Sequence, residues 1–109
     1  MAITYRVLGQ SSPSGNTLTT IYTVPSATQA VISSITVCNR ANTAASFRIA
    51  IQPAGAAIDD KHYINFDTPI PSNDTVALSL GLTLGNTDVI AANVSSDSIS
   101  LGVFGSEIS

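Results

Sequence analysis

Charge is what this sequence has least of. Of its 109 residues, four are Lys or Arg and seven are Asp or Glu, a charged fraction of 10%, where a typical soluble domain has roughly 25%. Nucleic-acid binding needs a basic patch that displaces counterions from phosphates. Arg6, Arg40, Arg48 and Lys61 are scattered along a chain of net charge −3 and cannot form one. An anionic membrane surface is disfavoured on the same ground. Cys38 is the only cysteine, which excludes an internal disulfide and a cysteine-built zinc cage within one chain. Tryptophan is absent, and His62 is the only histidine. No apolar run approaches the roughly 20 residues of a membrane span. The opening MAITYRVLGQ has no basic segment followed by an apolar one, so the expectation is synthesis in a cytoplasm without a secretory signal.

What fills the place of charge is Ser, Thr, Asn, Gln, Ala and Gly. A surface of these residues is weakly solvated and suits a protein that packs against neighbours. Hydrophobic residues are 44% of the chain, enough for one modest core over residues 1–109.

The hydrophobic pattern has period two. In SFRIAI, Phe47, Ile49 and Ile51 share a face; in HYINFD, Ile64 and Phe66 do so with His62. Val76, Leu78, Leu80 and Leu82 are in phase, as are Ile99, Leu101 and Val103. Phe47, Ile49, Ile51, Ile64, Phe66, Val76, Leu78, Leu80, Ile99, Leu101 and Val103 are the predicted core, each segment a strand with one buried face. Turn signals at GQSSPSGN, PSATQ, NRANTA, PAGAAIDD, TPIPSND, LGNTD and SSD separate the segments. The result is about eight short strands and no helix, which predicts an all-β antiparallel sandwich of jelly-roll or Greek-key type. The immunoglobulin alternative lacks its Trp and its Cys pair.

Ala30 to Asn39 is the segment that does not alternate. It is apolar at Val31, Ile35 and Val37 on one nominal face and at Ile32 and Cys38 on the other. A strand apolar on both faces is normally covered on both. The second cover is either the chain's own PAGAAIDD loop or another subunit. Ile32 and Cys38 are therefore candidate contact residues, and so is Tyr63, which is out of phase with Ile64 and Phe66. Few lysines or prolines guard the strands that would lie at sheet edges. Together these features predict a homo-oligomer, with a trimer first and a dimer next.

No catalytic constellation emerges. His62 with Asp59 and Asp60 is the one conceivable metal cluster, but adjacent residues of an extended chain diverge, and a solvated loop is the better reading. No serine lies in a G-x-S-x-G elbow, and no glycine-rich segment forms a phosphate cradle. The sequence predicts no catalytic residue, no cofactor and no metal. A sugar-binding module is a second reading, with Tyr63 and the loop at 53–60 as its site.

The segments IYTVPSATQAVISSITVCNRANTAASFRIAI and KHYINFDTPIPSNDTVALSLGLTLGNTDVI resemble small structural proteins of tailed-bacteriophage particles. The resemblance rests on Tyr22-Thr23-Val24-Pro25, Val37-Cys38-Asn39, the alternation from Phe47, Asn73-Asp74-Thr75, Gly81 to Leu84 and Asp88-Val89-Ile90. It implies a β-sandwich virion component made in the host cytoplasm. The first expectation is a capsid decoration (cement) protein bound to the major capsid protein. The alternative is a tail, baseplate or fibre component, or a module that binds a carbohydrate or host receptor.

Overall fold

The computed structural model describes residues 3–79 and 81–109. Among the described residues nine strands occur in chain order: β1 (Ile3–Ser11), β2 (Thr19–Thr23), β3 (Gln29–Asn39), β4 (Ala45–Gln52), β5 (Tyr63–Ile70), β6 (Thr75–Leu78), β7 (Leu82–Leu84), β8 (Val89–Val94) and β9 (Ile99–Ile108). They form two antiparallel sheets. The first runs β1-β9-β3-β6, with β7 also on β3; the second runs β2-β8-β4-β5. β6 pairs with Ile35 to Cys38 and β7 with Ala30 to Ile32, so the two are one sheet position interrupted in the middle. Gly81, at φ +60°, lies in the interruption. With β6 and β7 counted together, the chain order in the two sheets is that of an eight-stranded jelly roll. Leu80, an expected core residue, lies outside the described residues. Among the described residues no helix is long and apolar enough to cross a membrane.

The sheets close over a core that contains Phe47, Ile49, Ile99, Leu101 and Val103, as the alternation predicts. Ile51, Val76 and Leu78 are half-buried against its rim. Val24, Ile70, Ile90 and Val94 complete it.

Two strands depart from the predicted phase, and in both the cause is a β-bulge. In β3 the pairing with β9 slips between Ile32 and Ser34. One extra residue reverses the alternation. Ile32 therefore turns inward beside Ile35 and Val37, at 0% exposure. The expectation that Ile32 occupies an outer contact face is corrected: it is core. Gly105 of β9 faces this bulge, and a Cβ there would collide with the Val31 carbonyl oxygen. In β5 the pairing with β4 slips twice, between Phe47 and Ile49 and again between Ile49 and Ala50. Asp67 takes φ +50° within the first irregularity. Asn65 consequently stands opposite Ile49, while Ile64 and Phe66, expected in the core, are 39% and 56% exposed.

The segment between β4 and β5 forms two single 3₁₀ turns, Pro53–Gly55 and Asp60–His62. They lie against β8 and β4. Outward-pointing Ala50 and Ala91 of the second sheet are buried. His62 is buried too: its Nδ1 accepts the Asp59 N–H at 3.0 Å, and its own N–H donates to the Asp59 carbonyl at 3.0 Å. Its role is that of a turn cap.

At the other end, buried Asn39 pins two loops. Its Nδ2 donates to the Thr43 carbonyl at 2.9 Å and the Pro71 carbonyl at 3.2 Å, and its Oδ1 accepts the Ala41 N–H at 3.0 Å. A buried amide so satisfied stabilises the arch without an orphaned polar group.

Candidate functional site: the outer faces of the two sheets

The outer face of the first sheet can be read across its registers. Ile3, Tyr5 and Val7 of β1 stand opposite Ile108, Ser106 and Phe104 of β9. These in turn oppose Gln29, Val31 and Ser34 of β3, and further along Thr36 and Cys38 oppose Gly102 and Ser100. Thr83, Ala77 and Thr75 continue the face onto β7 and β6. None of these residues is Asp, Glu, Lys or Arg. Tyr5 is 80% exposed, Ile3 49% and Val7 48%. Phe104 lies over Gly102, where a Cβ would meet the ring at 2.8 Å. The glycine lets the ring lie down on the sheet, which keeps the face flat. Cys38 is a free, half-buried thiol on this face.

Charges on these same strands point the other way. Arg6 donates through Nε and Nη2 to Glu107 Oε1 at 3.1 and 2.8 Å, and the Tyr22 hydroxyl donates to Glu107 Oε2 at 2.6 Å. The trio ties β1 and β9 of the first sheet to β2 of the second. The Tyr22 bond, then Arg6, hold the Glu107 carboxyl below its usual range against some desolvation. Burial, followed by the bond to Glu107, pushes the Tyr22 hydroxyl well above its ordinary pKa.

The outer face of the second sheet is different. Arg48, opposite Asn93 of β8, donates Nε to Asp67 Oδ1 at 2.7 Å and Nη2 to Oδ2 at 3.1 Å. Its guanidinium also lies 3.9 Å above the Phe66 ring centroid. The bidentate bond to Arg48 lowers the Asp67 carboxyl, and the same bond raises Arg48. Phe66 and Tyr63 meet edge to face, with centroids 5.1 Å apart and planes at 83°. With Asp60 they line a recess of about 410 Å³. On the far side of Arg48 and Asp67 a polar recess of about 200 Å³ is bounded by Asn16, Ser46, Asn93 and Ser95.

The three expected contact residues thus fall in three places. Tyr63 is half-buried on the second sheet's outer face, Cys38 lies on the first sheet's outer face, and Ile32 is inside. Among the described residues no three His, Cys, Asp or Glu side chains converge as a metal site would require. The sequence places Phe66 in the core and assigns neither Arg48 nor Asp67 to a site. Arg48 was legible as outward, since it alternates with Phe47 and Ile49. The only signal for the bulge is Asp67 itself, a residue that tolerates the left-handed region, two places before Pro69. Comparison of the sequence with known protein families and with curated proteins finds no match.

Proposed function

We propose that this protein is a non-enzymatic structural component of a bacteriophage virion, a capsid decoration protein that assembles through the outer face of its first sheet. The observation that carries this reading is the uncharged face itself, with Ile3, Tyr5 and Val7 exposed along its edge strand. A cement protein sits across joints between capsid subunits, and its affinity accumulates over many weak contacts repeated by symmetry. Such a face must remain soluble before assembly and lose little on desolvation afterwards. Interspersed Ser and Thr meet both demands, whereas an all-aliphatic face would aggregate and a charged one would be costly to bury. The same face serves self-association, a trimer first, with the major capsid protein as the second partner.

Copy number in purified virions tests the proposal. Hundreds of copies per particle support a capsid location; a few dozen or fewer support the alternative of a tail, baseplate or fibre part. Absence from the particle overturns both.

A further inference from the structure

We infer that the outer face of the second sheet holds a binding site for a short neutral oligosaccharide, with one pyranose ring seated in the corner formed by Tyr63 and Phe66. This site is independent of how the first sheet docks.

The corner is a built feature. Simple alternation would bury Phe66 between the sheets. Two register slips and a positive-φ Asp67 bring it out instead. Bulges commonly re-aim side chains beside functional sites, and a non-glycine residue in the left-handed region carries local strain. The exposed ring is then fixed: Arg48 stacks on it and is itself held by both oxygens of Asp67. A fixed aromatic ring, more than half exposed, exposes apolar area that folding alone would have buried.

The chemistry of the walls selects the ligand. Two rings at nearly right angles offer an aromatic face and an aromatic edge to the C–H groups of a sugar ring. Asp60 supplies carboxylate oxygens for vicinal hydroxyls, and the neighbouring trough supplies the amides and hydroxyls of Asn16, Asn93, Ser46 and Ser95 for a second sugar unit. The recess volume of about 410 Å³ lies in the range of small-ligand sites, roughly 300–1,000 Å³. An anionic sugar would face Asp60. A quaternary ammonium ion would find Phe66 already engaged by the Arg48 cation, which weakens a second cation–π contact. Neutral sugars remain.

Screening the purified chain on a glycan array, then titrating the best hit into isotope-labelled protein by NMR, tests the site. Neutral glycans should bind, with amide shifts confined to residues 60–67 and to Asn93 and its neighbours. Phe66→Ala should weaken binding by about tenfold or more, and Phe66→Trp should retain it. Asp60→Asn should weaken it without disturbing the spectrum elsewhere, and Val7→Asp on the opposite sheet should leave it unchanged. An array with no neutral glycan above background overturns the site. So does binding that survives Phe66→Ala with shifts elsewhere, or a response only to sialyllactose or to choline, used as anionic and cationic controls. None of these readouts depends on a virion, so failure here leaves the decoration reading standing, and the converse holds.

Discussion

The two sheets have the same architecture and opposite surfaces. The first presents a flat face of Ser, Thr and apolar side chains without charge, ending at β1. There Ile3 to Val7 pair regularly with β9, and no lysine or proline interrupts the free edge. The second ends at β5, where two bulges and Pro69 break the edge, and its face carries the Arg48–Asp67 ion pair. Natural sandwiches blunt edges with such devices to prevent pairing between chains. The first sheet is blunted less along one stretch: β1 slips against β9 only between Val7 and Gly9, beyond the regular Ile3–Val7 pairing, while its far edge is split into β6 and β7. The contrast teaches that the low charge of the whole sequence is not uniform: charge is missing from one surface, and that surface runs out to the regularly paired Ile3–Val7 stretch of β1.

The largest effect should come from placing charge on that surface. Tyr5→Asp combined with Val7→Asp should weaken association with itself and with capsids by roughly a hundredfold or more, because two carboxylates must then be desolvated. Both side chains are exposed, so folding stability should move by about 0.5 kcal/mol or less. Thr20→Asp on the outer face of the second sheet is the matched control and should change neither. Co-sedimentation with particles and analytical ultracentrifugation measure the first quantity, and denaturant titration the second. Equal losses from Thr20→Asp would dissolve the distinction between the faces.

The bulge in β3 sends Ile32 inward and leaves the smaller Val31 on the first sheet's outer face. Gly105→Ala should disrupt it. The added Cβ meets backbone that cannot rotate away, so the cost should reach about 3 kcal/mol or more in equilibrium unfolding. A near-neutral Gly105→Ala would show that the register across Ile32 is wrong. Asn39→Ala should cost somewhat less, about 2 kcal/mol, because the Pro71 and Thr43 carbonyls and the Ala41 N–H lose a shared partner at the end of the sandwich.

These residues also mark what sequence could reveal. Alternation located the strands around Phe47, Ile64, Val76 and Ile99, since a side chain's face follows from the period of the pleat, and turn signals bounded the others; the split of one expected strand into β6 and β7 was not legible. It placed Phe47, Ile49, Ile99, Leu101 and Val103 in the core because the extra residue at each nearby slip lies on the partner strand, which leaves the alternation of β4 and β9 intact. Ile32, Ile64 and Phe66 were misplaced for one shared reason. A bulge adds a residue without changing composition, and the faces of everything beyond it exchange. The information that sets a bulge lies on the partner strand: Gly105 for β3, and Arg48 for β5 through its grip on Asp67. Neither is adjacent in sequence to the residue it re-aims. The Tyr63 recess was half legible. The exposed Tyr was expected, but its partner ring was assigned to the interior. The uncharged face was foreseen in composition and not in place, because only strand order brings β1, β9, β3 and β6 side by side.

The smallest expected effect lies where the two sheets are tied together, at Tyr22, Glu107 and Arg6. Glu107 has a folded pKa below its unfolded value, so its contribution is complete above the ordinary carboxylate range and is lost as pH falls through the lowered folded value. Tyr22 is shifted the other way. Its folded pKa lies above the unfolded one, so its contribution is complete below the ordinary tyrosine range and is lost as pH rises through the raised value. The tie should therefore hold across neutral pH and fail at both extremes. Arg6 is half exposed, and its share is screened by water and salt; removing it by Arg6→Gln should cost under about 1 kcal/mol. Thermal midpoints measured against pH for the wild type, Glu107→Gln and Tyr22→Phe separate the two limbs. Glu107→Gln should flatten part of the acid loss, leaving the portion that belongs to Asp67, whose carboxyl is also lowered. Tyr22→Phe should flatten the alkaline loss, reduce Glu107's share of the acid loss because the bond that most lowers its carboxyl is gone, and leave the Asp67 share untouched. The tie also anchors the exposed half of β1, so amide exchange from Ile3 to Val7 should quicken in Glu107→Gln while exchange in β4 and β8 stays unchanged. Uniform acceleration through both sheets would mean that the edge carrying the uncharged face opens only when the whole sandwich does.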